Sequence, residues 1–126
     1  MTQHPLRLPS DTDLVAINAR IADGKVVRPA ALRVIVSWAS GTGSGTRPDV
    51  HFAAAVYLLG LATLGAFAQR NDQTAILATT LVLRLNGLEL DLLPAETAYI
   101  VRQAAAYAME PAAIAAWLAD HSQPVT

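Results

Sequence analysis

The residues best suited to chemistry in this chain stand in a short polar turn, Gln69-Arg70-Asn71-Asp72-Gln73, between two long uncharged runs. A turn that feeds an enclosed helix aims several unpaired backbone N–H groups at one point, and that end of a helix attracts anions. Arg70 adds a positive charge, Asn71 and Gln73 can donate hydrogen bonds, and Asp72 opposes an anion if it faces the same way. The competing explanation is a tight capped turn whose polar residues serve its own backbone. Of the three histidines, His4 and His121 fall near the termini, where surface exposure is the rule. His51 follows a glycine-rich stretch and opens an apolar run, so it and Asp49 are the candidates for acid and base work. No histidine has a carboxylate or a second histidine at ligand spacing, so neither a metal nor another cofactor is implied. No serine stands in a nucleophile elbow, and the loop glycines lack both the P-loop and the Rossmann pattern.

Those groups must be carried by helices. The chain has 126 residues, 53% hydrophobic and 15% charged, with no cysteine, a size that supports one domain with a real core. Nine basic residues against ten acidic ones leave no field to capture nucleic acid. Residues 1–10 have no apolar centre and do not read as a signal peptide, which makes a cytoplasmic protein the expectation. Residues 52–68 carry no charge. Their alanines and glycines contribute little transfer energy, so a helix enclosed on all sides is expected there and not a membrane span.

The punctuation divides the rest. Ser10 and Asp13 form a capping-box pattern ahead of Leu14, Ile17 and Ile21, and Gly24 ends that helix. Pro29 opens the next, which runs to Gly41. Asp49 caps the central run, which is expected to end near Gln69. Asp72 is then expected to cap a helix from Gln73 to Asn86, closed by Gly87. Leu88, Leu90 and Leu92 alternate with acids as a short extended piece. Pro94 and Pro111 start the last two helices, reaching about Tyr107 and His121, and Trp38 and Trp117 read as core or rim packing. The prediction is an all-α bundle of about six helices.

The run Gly65-Ala66-Phe67-Ala68-Gln69-Arg70-Asn71-Asp72-Gln73-Thr74-Ala75, with the following ILATTLVLRLNG, resembles the motif of the Fic/Doc (death-on-curing) family. Order and helix boundaries extend the resemblance over about residues 12–121. It implies a Fic-like fold, and for the family it implies transfer of a nucleotide or phosphate to a protein hydroxyl. The positions that would do this are changed here. Gly65 stands for the motif histidine that acts as base, Gln69 for the metal-binding acid, Arg70 for the phosphate-cradling glycine and Gln73 for the phosphate-binding arginine. Phe67, Asn71 and Thr74 persist.

The resemblance therefore implies a protein that keeps the fold and lacks the transfer chemistry. Two functions are expected. One is a degenerate member that binds a protein or peptide, for which loop 41–49 takes the place of the family's target-docking flap and could accept an extended strand. The other is an enzyme of different chemistry, in which Arg70, Asn71 and Gln73 hold a small anion beside His51 or Asp49, with Phe67 and Gln69 lining the same cleft. A homodimer through the apolar final helices is a further expectation.

Overall fold

A run that is apolar on every side must lie at the centre, and helix α3 (Val50–Thr63) does. In the computed structural model, which describes residues 5–41 and 49–125, every residue from Ala53 to Leu61 is buried. Against it pack α2 (Pro29–Ser40), α4 (Asn71–Leu85), α5 (Pro94–Ala105) and α6 (Pro111–Asp120), while α1 (Asp11–Ile21) packs on α4 and α2. The expected all-α bundle of about six helices is present, with six among the described residues. No helix among the described residues is long and apolar enough to cross a membrane.

Local signals explain most boundaries. Ser10 and Asp13 close a reciprocal capping box on α1, and Asp49 accepts from the Phe52 N–H at the start of α3. Prolines open α2, α5 and α6, and Gly41 ends α2 in the left-handed region at φ +76°. The close approach of α2 to α3 depends on Gly60, where a Cβ would stand 2.5 Å from Cγ1 of the buried Ile35.

Two expectations are corrected and a third, the extended piece, is present and gains a partner. First, α3 stops at Thr63, not near Gln69, because Gly65 turns left-handed and the chain beyond it pairs with the α1–α2 linker. The linker N–H groups of Val27 and Arg28 donate to the Ala66 carbonyl, at 2.8 and 3.1 Å, and the Ala68 N–H donates to that of Lys25. Second, α4 begins at Asn71 with Arg70 at the cap position, so Asp72 lies within the first turn and does not cap it. Third, the piece after Gly87 is a strand with a partner. β1 (Leu88–Leu90) pairs antiparallel with β2 (Ser122–Pro124), with Leu90 opposite Ser122. The turn between α3 and α4 thus spans residues 64–70.

Candidate functional site

At the turn, the side chains expected to meet a ligand bond to the protein itself. Asn71 grips the main chain of Phe67 from both sides: its Oδ1 accepts from the Phe67 N–H and its Nδ2 donates to the Phe67 carbonyl, each at 3.0 Å. Phe67 is buried and anchors the turn in the core. Arg70 Nη1 donates to Gln73 Oε1 at 2.8 Å on the surface. Gln69 is engaged through its backbone, whose carbonyl accepts from Asn18 Nδ2 at 2.9 Å.

Asn18 is the residue that sequence reasoning missed. It is fully buried on α1, also donates to Thr74 Oγ1 and accepts from the Gly24 N–H. Thr74 in turn donates to the Arg70 carbonyl at 2.8 Å. A signal was present: Asn18 falls at the core-facing position one turn after Leu14, where a polar residue needs a reason. Among the described residues no buried side-chain polar atom lacks a partner.

Two backbone conformations in the turn are unusual. Gly65 has φ +62° and open space where a Cβ would stand. Arg70 has φ +58° and ψ +40°, a left-handed conformation that costs a non-glycine residue about 1–2 kcal/mol. A glycine-like backbone is therefore held by an arginine.

His51 is elsewhere. It starts α3, whose C-terminus feeds the turn, so about 18 Å of helix separates it from Thr63 at 1.5 Å per residue. The structure does not bring His51 together with Arg70 and Asn71. Instead His51 Nε2 lies 3.1 Å from Ser122 Oγ, and its Nδ1 lies 3.9 Å from the exposed Asp49 carboxylate. Beside it a hollow of about 350 Å³ runs along the alanine face of α6.

The neighbouring His121 is a structural junction and not a loose terminus. Its Nδ1 meets the Trp117 carbonyl at 2.7 Å, its Nε2 meets Glu96 Oε2 at 3.0 Å, and its ring stacks on Trp117 at 3.8 Å. Glu96 uses its other oxygen to accept from the Leu93 N–H, capping α5. Asp91, Glu96 and Asp120 share a cleft of about 200 Å³ with His121 and Ser122. Among the described residues no group of three or more histidine or carboxylate side chains is gathered as a metal site requires. The loop expected to dock a peptide lies, at residues 42–48, outside the described residues.

The molecule is thus a helical bundle with a self-bonded turn at one end and a histidine-bearing polar cluster at the other. Neither protein-family models nor curated proteins give a match to the chain.

Proposed function

We propose that this protein is a degenerate Fic/Doc-like domain, a cytoplasmic pseudoenzyme related to toxin–antitoxin components. On this reading it binds a protein or small ligand and does not transfer AMP or phosphate. The observation that carries this reading is the state of the turn. The position of the motif base is a glycine, and both ends of the Asn71 amide are bonded to the main chain of Phe67. Loss of a general base alone removes about 10²–10⁴-fold of rate, and no carboxylate replaces the metal ligand at Gln69. The left-handed backbone at Arg70 supports descent from a glycine at that place. The partner on this reading is a peptide taken up at loop 41–49, or a small anion at Arg70.

The test is incubation with labelled ATP, Mg²⁺ and a panel of acceptor proteins. No transfer is expected. Mg²⁺-dependent labelling that Asn71→Ala abolishes overturns the proposal.

One contact favours the second reading, an enzyme of different chemistry: Ser122 Oγ beside His51 Nε2, with Asp49 behind Nδ1. Three carboxylates line the cleft around Ser122 and oppose a developing oxyanion there. Covalent labelling of Ser122 by a fluorophosphonate, lost in His51→Ala, would establish it.

A further inference from the structure

We propose that the cavity between the N-terminal segment and the adjoining ends of α3 and α4 binds a small monocarboxylate with an apolar tail, held by Arg7. The cavity measures about 470 Å³ and is lined by Pro5, Leu6, Arg7, Val50, Leu85 and Asn86. That volume lies within the ~300–1,000 Å³ range of small-molecule sites. Four of these residues are apolar, and Leu85, in the last turn of α4, is left 38% exposed on its wall.

The two polar lining residues differ in what they have left to offer. The Asn86 amide is spent: Oδ1 accepts from the Arg7 N–H at 2.9 Å, while Nδ2 donates to the Arg7 carbonyl at 2.8 Å and to the Val82 carbonyl at 2.7 Å. These bonds clamp the main chain of Arg7 over the cavity and make no use of its side chain. The next segment is tied down as well, since the Tyr57 hydroxyl donates to the carbonyl of the buried Pro9. The ion pairs among the described residues do not involve Arg7. Among the described residues of this lining, the polar side chain left uncommitted is therefore the Arg7 guanidinium, a planar fork that matches a carboxylate.

The walls decide the rest of the ligand. A tail against Leu6, Val50 and Leu85 removes apolar surface from water, which acetate cannot do. A neutral apolar molecule leaves Arg7 unpaired. A nucleotide or a phosphate dianion brings more charge than one arginine balances, and apolar walls do not help it. The site lies at the end of the α3–α4 pair remote from the turn, so it stands independently of how the turn is read.

The full chain is titrated calorimetrically with sodium octanoate, with 1-octanol and acetate as comparisons, and the methyl resonances of Leu6, Val50 and Leu85 are followed by NMR. Octanoate is expected to bind saturably and shift those methyls. Each comparison compound should bind about tenfold more weakly or worse, the worth of one lost charge-assisted contact or of the buried tail. Arg7→Gln should weaken octanoate about tenfold and leave octanol unchanged, with the same melting curve, because the clamp uses main-chain atoms. Leu85→Trp, which fills the cavity from its exposed wall, should abolish binding. The proposal is overturned by absence of saturable octanoate binding in the millimolar range, by unchanged affinity in either variant, or by methyl shifts confined to other residues.

Discussion

Asn18 and Asn71 hold in place a turn that would otherwise need a ligand or water to satisfy it. Between them they supply partners for the Phe67 N–H and carbonyl, the Gln69 carbonyl and the Gly24 N–H. Asn18→Ala takes the partner from the last two groups, whose bonds to it are part-buried, at about 1–3 kcal/mol each. We expect a loss of about 2–4 kcal/mol, read as a lower urea midpoint with an unchanged slope. Arg70→Gly should do the opposite. Relief of the left-handed backbone exceeds the added freedom of the unfolded chain and the loss of an exposed contact, for a net gain of about 0.5–1 kcal/mol in the same measurement. Tyr57 supplies the pH dependence. Burial first, and the nearby Asp13 charge second, push its hydroxyl well above its ordinary ionisation range. A group whose folded pKa is raised stabilises fully below its unfolded value, here about 10, and that contribution is lost as pH rises beyond it. Alkaline unfolding should therefore begin above about pH 10 in the native chain. It should be blunted in Tyr57→Phe, which at neutral pH costs only about 1 kcal/mol for the bond to Pro9.

Helix identity was written plainly in the chain, because caps and prolines act locally and the central run is apolar all round. What could not be read were contacts made across the fold. The α3–α4 turn was expected to begin near Gln69, and it begins at Leu64 because residues 66–68 bond to a linker some forty positions earlier. β2 was invisible for the same reason, since Ser122-Gln123-Pro124 has no strand pattern and extends only because β1 lies beside it. His121 reads from the sequence as near-terminal and exposed. Glu96 is a cap, but only packing of α6 on α5 shows that it also meets His121. Gly60 makes the same point inside an element whose propensity argues against it. A β-carbon there would collide with Ile35, so Gly60→Ala should cost about 1–3 kcal/mol despite better helix propensity. Ile35→Ala alone should cost about 2–5 kcal/mol through its cavity. Since the second change removes the atom that the first would strike, the double variant should be less destabilised than the sum of the two, measured as a coupling energy in a double-mutant cycle.

Taken whole, the molecule places its polar groups at two separate ends of the α3–α4 pair. Arg70, Asn71 and Gln73 are bound up with the turn, while His51, Ser122, His121 and Glu96 gather where α3 begins and β2 crosses β1. The sequence named Asp49, His51, Arg70 and Asn71 as candidates but could not measure their separation, since only the length of α3 and the return of α4 set it. A single cleft shared by the two groups would require energetic communication between them, and α3 offers only a closely packed core with no polar link. Substitutions at opposite ends should therefore act independently. We expect the stability losses of Asn71→Ala and His121→Ala to add to within about 0.5 kcal/mol, as distant sites without shared partners do. Glu96→Ala with His121→Ala, which share a 3.0 Å contact, should deviate from additivity by more than that in the same urea titrations. A coupling above about 1 kcal/mol between Asn71 and His121 would mean that the ends communicate through α3, and the two-ended description of this protein would have to be abandoned.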